Sequence, residues 1–324
     1  MHHISKRKII LLFIGIILSI GLMPQSIAED NIEIVCTNSV LADFTSNILT
    51  GNVSIEYIMP AGACPSHFDT VPSDVSKIVN ADIIISLGWE PWLESLLNKS
   101  GNADYTEIKC SGLGEWNIPT GALSYVIAIT DGLKIALPDQ TESIQENANE
   151  YLLLINTTAG ELKNQIETNN LTSKKVVSME WQKDFLEWIG LNVTYYYSPP
   201  ESLSVQDELD VINEASKNEV SAVIDNLQSG TEFGARVASE TGVSHVVFSN
   251  FPGAVPNTDT YLEMISYNTD QLIKGISSFD LTSEQTRNLE NQIDTLQLQR
   301  NAFGMAALVA VVLCGVLFIL YKRK

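Results

Sequence analysis

The chain has 324 residues, with 19 Lys and Arg against 39 Asp and Glu, a formal net charge of −20. Six of the basic residues lie in the first and last stretches, whereas every acid falls between positions 29 and 301, so that middle section carries 13 cations against 39 anions, a net of −26. A surface this acidic repels polyanions and excludes a nucleic-acid partner, and cysteines at only 36, 64, 110 and 314 exclude a disulfide scaffold.

In chain order, Lys6-Arg7-Lys8 precedes the apolar run 9–23 and the small residues Ser26 and Ala28. A basic start, an apolar middle and small residues at a cleavage position predict a secretory signal peptide over 1–28. No cysteine directly follows that run, so a bacterial lipid anchor has no attachment point there.

Short apolar runs then alternate with helical segments. "IEIVC" (32–36), "VSIEYIM" (53–59), "ADIIISLG" (81–88) and "YTEIKC" (105–110) read as strands of an N-terminal α/β lobe over 31–140. Residues 141–170 contain no Pro and no strand signal, which predicts one long linker helix. "KVVSM" (175–179), "VTYYYS" (193–198), "SAVIDN" (221–226) and "HVVFSN" (245–250) give a second lobe over 172–278. The halves echo each other, "NVSIEYIMP" from Asn52 against "NVTYYYSPP" from Asn192. The predicted class is α/β: two Rossmann-like lobes with parallel sheets joined by the linker helix.

Residues 282–301 predict a helical stalk. Residues 302–321 are apolar and stop at Lys322-Arg323-Lys324. Twenty helical residues rise about 30 Å, the thickness of a bilayer core. The terminal cations stay on the cytoplasmic side. The expectation is a cell-membrane protein with a single C-terminal anchor and its lobes outside.

In open parallel sheets, ligands gather beyond the C-terminal strand ends. Cys36, Cys64 to Asp69, Glu90, Glu180, Asp225 and Asn250 all fall at such ends and are expected to face the cleft between lobes. No Gly-rich phosphate loop, Gly-x-Ser-x-Gly elbow or His-Glu-x-x-His helix is present, so no enzyme is expected.

The stretch "PAGACPSHFDTVPSDVSKIVNADIIISLGWEPWLESLL" from Pro60 resembles the metal-binding, cluster A-I, zinc/manganese-type solute-binding proteins of ABC transporters. The resemblance runs from about Ile32 to Ser277. It implies an extracytoplasmic receptor that holds a transition-metal cargo, zinc or manganese, between two lobes and delivers it to an ABC permease with a cytoplasmic ATPase. The family's four ligand positions fall on Ser66, on Thr120 of "EWNIPTGAL", on Met179-Glu180 and on Asn250, and three of the four lack a usual ligand. The chain still offers His67, Cys64, Glu180 and Asp225 as a metal set, because zinc takes imidazole, thiolate and carboxylate donors.

Several residues here have a plainer reading. His67 finishes a turn, Cys64 fills space as a small apolar group, Asp225-Asn226 caps a helix, and His245 belongs to its strand. Two other functions remain open: the same scaffold as receptor for a chelated metal or corrinoid, or as a surface-anchored adhesin with a decayed metal site.

Overall fold

A computed structural model describes residues 31–323; the signal peptide expected over 1–28 lies outside the described residues. The first lobe alternates β1 (Ile32–Cys36), α1 (Ser39–Ile48), β2 (Val53–Tyr57), α2 (Pro72–Val79), β3 (Ile83–Ser86), α3 (Leu93–Ser100) and β4 (Thr106–Lys109). Its strands are parallel in the order β2-β1-β3-β4. The central strand β3, Ile-Ile-Ile-Ser, is buried along its whole length, so an uninterrupted apolar run is what its two covered faces require. Asn38 starts α1 by accepting the backbone N–H groups of Val40 and Leu41, and Asp74 accepts the N–H of Val71 at 2.8 Å to start α2.

After α4 (Pro119–Ala136), the chain forms α5 (Thr141–Thr168), a 28-residue helix. The second lobe repeats the first with β5 (Lys175–Met179), α6 (Glu180–Ile189), β6 (Asn192–Tyr197), α7 (Val205–Ala215), β7 (Val220–Asn226), α8 (Glu232–Thr241) and β8 (Ser244–Phe248). The parallel order β6-β5-β7-β8 matches that of the first sheet strand for strand. All eight strands expected from the apolar runs are present. One continuous core runs from Ile34 and Phe44 through Ile144 and Ile155 of α5 to Val246 and Tyr261, and a second core fills the other face of the second sheet around Val177, Val223 and Phe233.

The final helix, α9, runs unbroken over Tyr261–Lys322. Its first turns bury Tyr261, Met264, Ile265, Leu272 and Ile276 against the protein, whereas every residue from Leu281 to Arg323 is exposed. The apolar segment 302–321 lies in this exposed part and is long enough to cross a membrane.

Three helices meet at Asp43 of α1. Its Oδ2 accepts the Tyr151 hydroxyl of α5 at 2.9 Å and the Tyr261 N–H of α9 at 3.1 Å. Burial pushes its carboxyl up to about 6 against an ordinary value of 3.8. The folded state therefore holds this proton more tightly than the unfolded chain. The resulting stabilisation is complete below about pH 4 and is lost as pH rises through 6. A rise of this size corresponds to about 3 kcal/mol at most. Asp43→Asn should remove that slope: the stability difference between wild type and variant, measured by urea unfolding, should shift in favour of the variant from pH 4 to pH 7. A pH-independent difference would show that Asp43 titrates as it does in the unfolded chain.

Candidate functional site: a neutral cleft between the lobes

The loops that leave the C-terminal strand ends of both sheets face one another. After β2, Pro65 opens a single 3-10 turn, Pro65–His67, and the preceding backbone is extended. This turn brings Cys64, Pro65 and Ser66 to the cleft. Leu113, Gly114 and Trp116 follow β4 on the same side. Opposite them stand Trp181 from the first turn of α6, Asn226, Gln228 and Ser229 after β7, and Asn250 and Phe251 after β8. The enclosed space is about 390 Å³, including the part open to solvent. No charged side chain is among these lining residues. They offer one thiol, hydroxyls, amides and two indoles.

Hydrogen bonds fix the floor of the cleft. Asn226 accepts the Gln228 N–H at 2.7 Å and so caps the short turn Leu227–Ser229. Gln228 then spans the lobes: its Nε2 donates to the Ala61 carbonyl at 2.9 Å and to Ser249 Oγ at 3.2 Å, and its Oε1 accepts the Asn250 N–H at 3.1 Å. Asn250 is held at two further points, its carbonyl by Trp116 Nε1 at 2.8 Å and its Oδ1 by Gln182 Nε2 at 2.9 Å. Asn117 Nδ2 donates to the Trp181 carbonyl at 3.2 Å, and Ser39 Oγ to the Pro252 carbonyl at 2.8 Å, adding two more links across the lobes. Each buried acceptor here has a donor, which is how a polar interface becomes rigid.

Of the residues singled out in the sequence, Cys64, Ser66 and Asn250 line this cleft. His67 is exposed and is not among the cleft-lining residues; it borders a second, open depression with Asp69, Trp92 and Lys99, which Ser66 also reaches. Asp225 is fully buried: its Oδ1 accepts the Tyr197 hydroxyl at 2.5 Å and its Oδ2 is hydrogen-bonded to His245 Nε2 at 2.7 Å. Glu180 accepts the Ser198 hydroxyl at 3.1 Å beside the start of α6. Met179 is buried in the second core, and Thr120 is exposed on the first turn of α4. His67, Cys64, Glu180 and Asp225 are thus not gathered. Among the described residues, no three His, Cys, Asp or Glu side chains stand together as a metal-holding group.

Glu90 braces the turn after β3 by accepting the N–H groups of Leu87 at 2.8 Å and Trp89 at 3.1 Å. Cys36 and Cys110 are buried, and burial pushes both thiols up to about 12, which leaves Cys64 as the thiol facing the cleft. Gln228 and Trp116 carry no local sequence signal for a place in the cleft. Each sits within eight residues of a strand end, a position that marks the loop but not the direction of the side chain.

The family model described as zinc-uptake complex component A periplasmic matches residues 34–275. The manganese-binding lipoprotein MntA of Halalkalibacterium halodurans is 24% identical over 278 residues, 76% of this chain and 89% of that protein. The iron ABC transporter substrate-binding lipoprotein MtsA of Streptococcus pyogenes serotype M1 is 24% identical over 310 residues, 82% and 98% of the two chains. Among solved structures, a periplasmic metal binding protein from Candidatus Liberibacter asiaticus superposes with a TM-score of 0.64 at 20% identity, over 75% of this chain and 98% of that one. A crystal structure of ZnuA gives 0.66 at 16% identity, over 76% and 100%. These superpositions show the same fold.

Proposed function

Because the chain belongs to the zinc-uptake complex component A periplasmic family, which has no catalytic role, we propose that it is the substrate-binding receptor of an ABC metal importer. In this reading it holds transition-metal cargo in the interlobe cleft and passes it to a permease with a cytoplasmic ATPase. The observation that carries this reading is the convergence of five post-strand loops from two matched sheets on one cleft. Cys64, Ser66, Asn226 and Asn250 are the proposed donors at its surface. A thiolate among neutral oxygens favours a borderline ion such as zinc over a hard one such as manganese. His67, Glu180 and Asp225 are assigned no donor role.

The relatives above are named as lipoproteins. Here the exposed apolar end of α9 is proposed to do the anchoring, with Lys322 and Arg323 on the cytoplasmic side.

The lining itself favours a second form of the cargo. Trp116, Trp181, Leu113 and Phe251 give the cleft a largely apolar wall, and no carboxylate or imidazole is among the lining residues. A metal already wrapped by an organic chelator needs that surface more than it needs protein ligands. Calorimetry on chelator-stripped protein with zinc chloride, manganese chloride and a zinc–chelate complex separates the forms. Tight binding of bare zinc that Cys64→Ser weakens at least tenfold supports the free ion. Binding of the complex alone supports the chelate. Failure of all three ligands to bind would remove the receptor reading.

A further inference from the structure

The exposed length of α9 carries a pattern that its own lobes do not use. Thr282, Thr286, Leu289, Ile293, Leu296 and Phe303 follow alternating spacings of four and three residues, with Arg300 completing the series. That repeat places them on one seam of a helix wound with a partner. Leu289, Ile293 and Leu296 are 60%, 52% and 63% exposed, and no described part of the chain covers them.

Three features name the occupant. The first is the seam chemistry: a β-branched Ile293 between Leu289 and Leu296 is the a/d arrangement that favours two parallel strands. The second is charge. The lobes and stalk together carry a large negative charge, but four of the five positions flanking the apolar part of the seam are glutamines; the fifth, Glu290, would face Gln285 of a second copy. Two copies therefore meet without like charges at these flanking positions; the one like-charged pair is Arg300 against its own counterpart, at the membrane end of the seam. The third is continuity: the same register runs on into the apolar segment through Ala307, Ala310 and Cys314, placing small side chains where two helices in lipid approach closely.

We propose that α9 forms a parallel two-stranded coiled coil with a second copy of this chain, so that two receptors share one stalk. The inference rests on the proposed membrane anchor. Insertion in one bilayer gives both helices the same direction and raises their effective concentration. A seam of roughly three heptads is short for independent stability in water, so the span and the stalk act together.

The full-length chain, reconstituted into phosphatidylcholine–phosphatidylglycerol liposomes, provides the test. Flotation comes first: a chain left at the bottom of the gradient overturns both the anchor and the shared stalk. For a chain that floats, single cysteines are introduced in a Cys64→Ser, Cys314→Ala background and oxidised with copper–phenanthroline. Leu289→Cys, Ile293→Cys and Leu296→Cys should give at least fivefold more disulfide-linked dimer than Asn291→Cys, Asp294→Cys and Leu298→Cys. Equal yields, or none, overturn the seam while leaving the receptor reading intact. In the otherwise native chain carrying a fluorescent tag, Ile293→Glu should abolish two-step photobleaching, and Leu298→Glu, an exposed leucine off the seam, should leave it unchanged. Single-step bleaching of the unmutated chain would also overturn the proposal.

Discussion

Asp225→Ala is expected to lower the unfolding free energy by about 3–5 kcal/mol, the cost of removing one member of a buried polar cluster. The carboxylate has no exposed surface and both its oxygens are engaged, by Tyr197 at 2.5 Å and His245 at 2.7 Å. Truncation strands the Tyr197 hydroxyl inside the second core and leaves a cavity beside it. Gly234 packs so closely that a Cβ there would stand 2.0 Å from Asp225 Oδ2. Gly234→Ala should therefore destabilise as well, by about 1–3 kcal/mol, through overpacking. Asp225→Asn keeps the shape and one acceptor, and should cost about 1–3 kcal/mol. Urea midpoints at constant m-value provide the measurement. Cargo affinity of the Asp225→Asn protein, measured while it is folded, should stay within threefold of wild type. A tenfold loss of affinity with little loss of stability would return Asp225 to the binding site.

The reason Asp225 attracted attention in the sequence also explains how far that sequence could be read. Apolar runs mark the inner strands β1, β3, β5 and β7, because a strand covered on both faces has to be largely apolar, whereas the edge strands β2, β4 and β6 keep polar residues such as Glu56, Glu107 and Asn192 and are marked by shorter β-rich runs. The strand order β2-β1-β3-β4 is not written in any run, but the matched halves and the right-handed crossover rule restrict it. Side-chain direction is harder. Successive residues of a strand point to opposite faces, so Asp225 and Asn226, the last two residues of β7, diverge. Asn226 reaches the cleft, and Asp225 turns toward Tyr197 and His245. Choosing between them needs the phase of the strand to a single residue.

The same limit applies to the Pro65–His67 turn. A 3-10 turn rotates each residue by about 120° from the last, so Ser66 borders both the cleft and the outer depression whereas His67 borders the depression alone. A resemblance in sequence aligns the loop but does not fix that rotation. Gln228 and Trp116 were hidden for a related reason. Their importance comes from bonds to the opposite lobe, more than 100 residues away, and no local pattern records those contacts.

Trp116 should be the residue whose loss most affects both stability and binding. It is 1% exposed, packs against Tyr125 and Phe251 with ring centroids 5.6 and 5.5 Å away, and donates its Nε1 hydrogen to the Asn250 carbonyl at 2.8 Å. Trp116→Ala should cost about 3–5 kcal/mol from the cavity alone. The unpaired carbonyl adds about 1–3 kcal/mol. Trp116→Phe preserves most of the ring packing and removes only the donor, so its loss should be less than half that of the alanine variant. Asn250 is positioned by Trp116, Gln228 and Gln182 together, and it faces Cys64 and Ser66 across the cleft. Without the indole N–H, one of these three restraints is gone while the other two remain. The Phe variant should therefore bind cargo about tenfold more weakly, a change of about 1.4 kcal/mol, while remaining folded at 25 °C. Unfolding curves and calorimetry on the same preparation test this. Wild-type affinity in Trp116→Phe would mean that Asn250 does not touch the cargo, and the site would then have to lie nearer Cys64 and Trp181.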